Sequence, residues 1–317
     1  MASATRDHGQ PRLVKVLRRQ AILQLMALPA LVLLVLFRYM PMVGLQIAFR
    51  DFMFNKGMFR SPWVGLAHFR DFLIDPNIGA VLVNTMGISL LKVFLMFPVP
   101  IILALLLNEI SGRTFKKVTQ TISYFPYFIS WVIVALMAKN WLSPSGGFVN
   151  DFLLRLHVIG KPILFLGEPG AYWWIALVLE IWKNAGWGSI IYLAAISGIE
   201  AELYEAADID GAGRMRKVFS ITLPSISGTI MILFILNIGY MISGGLYASN
   251  FEQSYLLGNP LNTVRSDILD TYILRTGIAL GRYSYATAVG LLQGVVSFLL
   301  LLGANATARR LTGESFF

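Results

Sequence analysis

Cysteine is absent from this chain of 317 residues, so no disulfide, thiol redox centre or thiolate-bound metal is available to it. Charge is almost as scarce. Asp, Glu, Lys and Arg make up 14% of the residues, against about 25% in soluble domains, while 56% are apolar or aromatic. That leaves too little polar surface to coat a water-soluble globule of this length. Disordered, collagenous and disulfide-scaffold classes fall with the same figures. Histidine occurs only as His8, His68 and His157, with none of the paired spacing that a metal site or a catalytic set needs. An intramembrane enzyme is therefore disfavoured. Basic residues outnumber acidic ones by 26 to 17, a net charge of +9. In a soluble chain this excess would suggest nucleic acid; in so apolar a chain, membrane topology accounts for it and no nucleic-acid partner is expected.

What the sequence has instead is long apolar runs near the length needed to cross a bilayer core. Six membrane spans are expected, over residues 21–43, 78–107, 118–142, 171–196, 223–245 and 285–306. The chain reads as an all-α polytopic protein with a transmembrane domain over 21–306, flanked by tails at 1–20 and 307–317. An even number of spans puts both termini on one side. The segments on that side, 1–20, 108–117, 197–222 and 307–317, hold 13 basic residues among 67. The other side holds 11, counting Arg38 and Lys139 near the outer ends of their spans. The bias places both termini in the cytoplasm. The N-terminal segment lacks a small-residue cleavage site and reads as a retained tail. Within it, Leu13, Val16 and Leu17 have helical spacing among basic residues, as in a helix lying on an anionic membrane face.

The expected outer loops contain short amphipathic helices. Leu66, Phe69, Phe72 and Leu73 follow Pro62 and Trp63; Phe148, Phe152, Leu153 and Leu156 form a second set. In the third loop Ser266 is the expected N-cap of a helix bearing Ile268, Leu269, Tyr272 and Ile273. Two readings stay open for these helices, rest on lipid or docking of an external partner. No internal repeat is visible, which disfavours a stand-alone secondary transporter built from inverted repeats.

The segment 200–224, EAELYEAADIDGAGRMRKVFSITLP, is the one expected cytoplasmic stretch with negative charge: 197–222 carries five acidic and three basic residues. Leu203, Ala206 and Ala207 share one helical face, and Met215, Val218 and Phe219 another, with Gly211 and Gly213 between them. This spells helix, sharp turn, helix, with the glycines expected to supply positive φ. The alanines leave room for a partner's backbone, and Glu205, Asp208 and Asp210 offer acceptors to basic groups.

Glu205, Ala206, Ala207, Gly211, Ile221, Leu223 and Pro224 match, anchor by anchor, the EAA loop of permease subunits of binding-protein-dependent ABC importers. The strings YMPMVGLQIAFRDF, SPWVGLAHF, LALLLNE, FPYFISW and a terminal ESFF resemble the branch of that family importing complex sugars, including alginate and pectic oligosaccharides. The resemblance runs over nearly the whole chain from about Arg38 and implies a type I importer permease fold. It implies a coupling hairpin in which Glu205, Ala206, Ala207, Asp210, Gly211, Leu223 and Pro224 meet a cytoplasmic ATPase. The implied partners are a second permease subunit, two ATPase copies, an external solute-binding protein, the oligosaccharide and membrane lipid. No P-loop occurs, so ATP and Mg²⁺ are expected to be used by the partner ATPase, with no cofactor on this chain and no catalytic residue in it.

Polar groups within the expected spans are the candidates for the transport pathway: Lys92, Glu180, Lys183, Asn184, Trp187 and Tyr240. Glu180 and Lys183 have i,i+3 spacing and are open to mutual neutralisation, whereas Lys92 has no partner in its own span. Pro98 and Pro100 are expected to kink the second span and the run from Asn184 to Gly188 to weaken the fourth. Trp182, Trp187 and Tyr240 are open to two readings, sugar stacking or ordinary packing. Two apparently unpaired lysines in a pathway suggest an acidic oligosaccharide.

Overall fold

The computed structural model describes residues 20–312 apart from 244 and 247–249. The expected tail helix at 11–20, the terminal ESFF and most of the two tails lie outside the described residues. Within them the chain is helical, with one isolated antiparallel bridge between Arg50 and Trp63.

The first span, α1 (Ala21–Phe49), runs past its expected end at residue 43 and carries Arg38 on an exposed face. Its apolar side chains face outward all round, and Ala48 is its one buried residue. After it come α2 (Ala67–Ile74), at the end of the bundle where α3 starts and which we term outer, the hairpin end being inner, and α3 (Ile78–Asn108), the second long apolar helix. The third expected span is not one straight helix. It splits into α4 (Arg113–Phe128) and α5 (Trp131–Trp141), bent by 96°. Pro126 lies in the 3₁₀ turn that ends α4, and Ser130 caps α5 by accepting the Ile133 N–H at 3.4 Å, so the run FPYFIS is a breaker inside an apolar stretch. Next are α6 (Phe148–Arg155), α7 (Pro169–Ser197), the hairpin helices α8 (Ala201–Ile209) and α9 (Arg214–Ser225), and α10 (Ser227–Gly239), bent by 63° from α9. On the outer side α11 (Asn250–Leu257) and α12 (Leu269–Leu274) precede α13 (Tyr283–Thr312).

Among the described residues, α1, α3 and α13 are long and apolar enough to cross a membrane, and each bent pair adds another if it counts as one span. Helix α7 has 29 residues, with Glu180, Lys183 and Asn184 interrupting its apolar run. Three buried clusters are stacked along α3. The outer one joins Phe72, Ile78, Val81, Tyr272 and Tyr285; the middle one joins Ile88, Ala135, Tyr172 and Leu257; the inner one joins Ala104, Leu107, Tyr192 and Leu233. Thus α3 and α7 form the central pair, while α1, α2 and α10 pack mainly against α13.

Proline leaves a recurrent mark. A π turn ends two residues before Pro41, Pro98 and Pro224, at Val35–Tyr39, Lys92–Met96 and Val218–Thr222. Proline has no N–H for the i−4 carbonyl and its ring displaces that carbonyl, so a widened turn ahead of it keeps the helix continuous. The second span is therefore carried through Pro98 and Pro100. The run from Asn184 to Gly188, expected to weaken the fourth span, lies within the continuous helix α7. A Cβ at Gly186 would sit 1.9 Å from the Ser123 carbonyl oxygen, so glycine is there to let α4 approach α7.

Outside the spans, Ala67–Ile74 and Phe148–Arg155 match the expected short helices. Ser266 is not an N-cap. It closes the short helix Thr263–Ser266 and donates to Asn262 Oδ1 at 2.8 Å, while the Ile268 N–H at the start of α12 is taken by the Thr271 hydroxyl at 2.9 Å.

Candidate functional site

The hairpin and the polar groups between the spans are separate places. In the hairpin, α8 ends in a Schellman motif: the Ala212 N–H donates to the Ala207 carbonyl at 2.8 Å and the Gly211 N–H to the Asp208 carbonyl at 3.0 Å. This geometry requires a left-handed residue at the turn, and Gly211 supplies it with φ 70°. Gly213 does not share that role; its φ of −70° suits any residue, contrary to the sequence expectation. Asp210 is the C-cap of α8. The two arms are held by the Lys217–Asp208 ion pair and by the Tyr204 and Thr222 hydroxyls at 2.9 Å. Arg214 lies 3.8 Å from Glu109 at the inner end of α3, an exposed pair worth little by itself.

Glu205, Ala206 and Asp210 are exposed, and Ala207 is half-buried. Leu223 is half-buried at the root of the hairpin, with Pro224 exposed beside it. Leu203, Met215 and Phe219 are exposed, and Ile209 reaches 88% exposure at the tip. The hairpin thus combines a closed polar frame with exposed apolar side chains.

Between the spans, Lys92 is not unpaired. At 1% exposure it donates to Glu180 Oε2 at 3.1 Å, Asn250 Oδ1 at 2.6 Å and Gln253 Oε1 at 2.8 Å, using all three of its protons. Glu180 in turn accepts from Gln253 Nε2 at 2.7 Å and from the Asn184 amide. Asn250 Nδ2 reaches Ser89 at 3.0 Å. The partner of Glu180 is thus Lys92 from another helix, whereas the Lys183 ammonium donates to the Tyr127 and Ile129 carbonyls, both at 2.6 Å. Those carbonyls are freed by the break between α4 and α5, so Lys183 satisfies the backbone that Pro126 and Ser130 leave open. Trp187 stacks on Tyr127 at 4.4 Å with 4° between planes, and Tyr240 stands exposed at the end of α10.

The sequence reading missed the polar face of α11. Asn250, Gln253, Ser254 and Leu257 are buried at helical spacing, and Ser254 accepts from the Tyr172 hydroxyl at 3.0 Å. The i, i+3, i+4 set of polar residues was the signal. It lay beyond the apolar run taken as the fifth span, in what read as an outer loop. At the outer ends of α3, α12 and α13, Asp75 accepts from the Tyr272 hydroxyl at 2.6 Å and the Tyr285 hydroxyl at 3.3 Å. Burial pushes the Asp75 carboxyl up, but the hydrogen bonds from Tyr272, Asn77 and Tyr285 outweigh it and hold the group below the ordinary carboxylate value.

Comparison with known proteins agrees with this architecture. The family model described as a binding-protein-dependent transport system inner membrane component matches residues 96–313. Protein LplB of Bacillus subtilis (strain 168) is 41% identical over 301 residues, 95% of this chain and 92% of that one. The polygalacturonan/rhamnogalacturonan transport system permease protein YteP of the same organism is 41% identical over 306 residues, 96% and 93% of the two chains. The crystal structure of a bacterial ABC transporter involved in import of the acidic polysaccharide alginate has a chain similar at TM-score 0.86 and 38% identity, covering 95% of this chain and 100% of that one. A second crystal structure, of the alginate transporter with an alginate pentasaccharide-bound periplasmic protein, gives TM-score 0.86 and 37% identity over 96% and 100%. The all-helical arrangement is the type I ABC permease fold. With a family match across more than half its length, the chain belongs to the binding-protein-dependent transport system inner membrane components, a multi-pass permease family of transport subunits and not of enzymes.

Proposed function

We propose that the chain forms half of the translocation pathway of an ATP-driven ABC importer for an oligosaccharide, acidic in character, delivered by a solute-binding protein. The observation that carries this is the 200–224 hairpin: a Schellman-closed turn at Gly211, an exposed Glu205 and bare aliphatic tips. In this reading six spans cross the inner membrane with both termini cytoplasmic. Counting the two bent pairs as single spans, with α7 as another, is compatible with that number. The hairpin enters a cleft of the ATPase, Glu205 meeting a basic group there. Two ATPase copies, which bind ATP and Mg²⁺, and a second permease subunit complete the machine. Closure of the ATPase pair moves α8 and α9 as one body, and the π turn at Val218–Thr222 passes the motion into α10.

The acidic class is supported by the relatives named for alginate and polygalacturonan transport. It no longer draws on unpaired lysines, because Lys92 and Lys183 both have partners. The test is reconstitution with the second permease, the ATPase and the binding protein in proteoliposomes. An alginate pentasaccharide and tetragalacturonate are expected to stimulate ATP hydrolysis and enter the vesicles, a neutral tetrasaccharide to do neither, and uptake to stop when the ATPase is omitted. Uptake driven by a proton gradient without the ATPase overturns the importer reading; equal stimulation by the neutral sugar overturns the acidic class alone.

A further inference from the structure

A cavity of about 570 Å³ at the outer side of the molecule has no part in the roles above. It opens between α11, the short helix Thr263–Ser266 and α12, and Tyr255, Asp267, Thr271 and Arg275 stand on its walls. One wall is tied to α3: Asn84, six residues into that helix, donates to the carbonyls of Val264 and Asp267 at 2.8 and 3.0 Å, and Asp267 lines the cavity. Lys92 lies eight residues further along α3, about 12 Å away.

Helix α11 lies between the cavity and the Lys92 network. Asn250 and Gln253 on its buried face hold Lys92, while its exposed face carries Glu252 and Tyr255. Tyr255 is 60% exposed and stacks on Phe251 at 5.6 Å with 18° between planes. A simple lipid-facing wall would bear aliphatic side chains alone, yet this one also carries an ion pair. Asp267 accepts from Arg275 Nη2 at 2.7 Å and from the Thr271 hydroxyl at 2.8 Å, and Arg275 lies over the Tyr272 ring at 5.7 Å. Both ends of the pair are therefore held before any ligand arrives, while Arg275 keeps 46% of its surface exposed.

An open aromatic face beside a fixed acceptor and a fixed guanidinium fork matches one kind of molecule. A pyranose ring has a face of C–H groups and an edge of hydroxyls that both donate and accept, and a uronic residue adds a carboxylate suited to the fork. We propose that this cavity is an outer subsite for one pyranose ring of the transported saccharide, with Tyr255 against its C–H face and the Asp267–Arg275 pair at its polar edge. The inference rests on the carbohydrate-import reading and adds a position and residues to it.

The assembled importer in proteoliposomes tests it, using an alginate pentasaccharide, tetragalacturonate and a neutral tetrasaccharide as probes. Tyr255→Ala is expected to lower uptake of whichever saccharide the wild type imports about fivefold, the size of one aromatic contact, with Tyr255→Phe retaining it. Arg275→Lys is expected to lower uptake of a uronic saccharide more than that of a neutral one. Wild-type uptake by the Tyr255→Ala importer overturns the subsite and leaves the import reading standing. Loss of the second permease from the purified Tyr255→Ala complex also overturns the subsite, because it makes this face a subunit contact. Failure of the wild type to import any of the saccharides overturns the import reading and the subsite together.

Discussion

The buried Lys92–Glu180 network and the 200–224 hairpin use the same residue types to opposite ends. In the network, Lys92 and Glu180 are at 1% and 0% exposure and every proton of the ammonium is taken. In the hairpin, Asp208 of the Lys217–Asp208 pair is largely exposed and Glu205 faces solvent. A charge removed from water must be paired to be tolerated at all, so the network fixes which helices meet: α3, α7 and α11. A charge left in water gains little from a pairing within its own chain and stays accessible to another molecule. Exposure therefore separates charges that specify the fold from charges that remain available at the surface.

Breaking the network should have the largest effect. Glu180→Gln leaves the Lys92 ammonium without its counter-charge, and the expected loss is about 3–5 kcal/mol, read as lowered thermal stability of the purified importer. The double change Lys92→Met with Glu180→Leu removes both charges and should recover much of that loss. If the double variant is as unstable as the sum of the single ones, the two residues do not act as a unit and the contrast with the hairpin fails.

Close packing comes next. Gly186→Ala forces a Cβ against the Ser123 carbonyl, which is backbone and cannot swing away. The expected loss is roughly 1–3 kcal/mol, measured by the same thermal unfolding. In the hairpin, Gly211→Val puts a β-branched residue at φ 70°, costing roughly 1–2 kcal/mol of turn closure. Here the expected reading is functional: ATP hydrolysis continues while uptake per ATP falls. Unchanged coupling in that variant would remove the hairpin from the role assigned to it.

The two regions also differed in how legible they were. Glu205, Ala206, Ala207 and Gly211 lie within seven residues, and the physics of a Schellman turn is local, so the hairpin could be read from the chain directly. Lys92 meets Glu180 across 88 positions and Gln253 across 161, and no spacing rule reaches that far. The apolar runs did not announce the 96° break between Phe128 and Trp131, because the carbonyls it frees are held by Lys183 from a helix more than 50 positions away. Two glycines serve otherwise than expected. Gly186, expected only as part of a run that weakens its helix, gives room to α4, and Gly213, expected to supply positive φ, has an ordinary one.

Asp75 lies between the two extremes, half-buried at the outer end of α3, and its expected effect is the smallest. Its folded-state pKa is depressed, so its contribution is fully present above the ordinary carboxylate value of about 3.9 and is lost as pH falls through the folded value. Protonation turns the acceptor of the Tyr272 and Tyr285 hydroxyls into a neutral acid and loosens the tie between α3, α12 and α13. Asp75→Asn should therefore lower stability by about 1 kcal/mol near neutral pH, allowing for partial solvent screening. The gap between wild type and variant, followed by thermal unfolding from pH 7 to pH 3, should stay constant to about pH 4 and close below it. A gap that does not narrow at all below pH 4 would mean that the carboxylate charge contributes nothing and that Asp75 acts through shape alone.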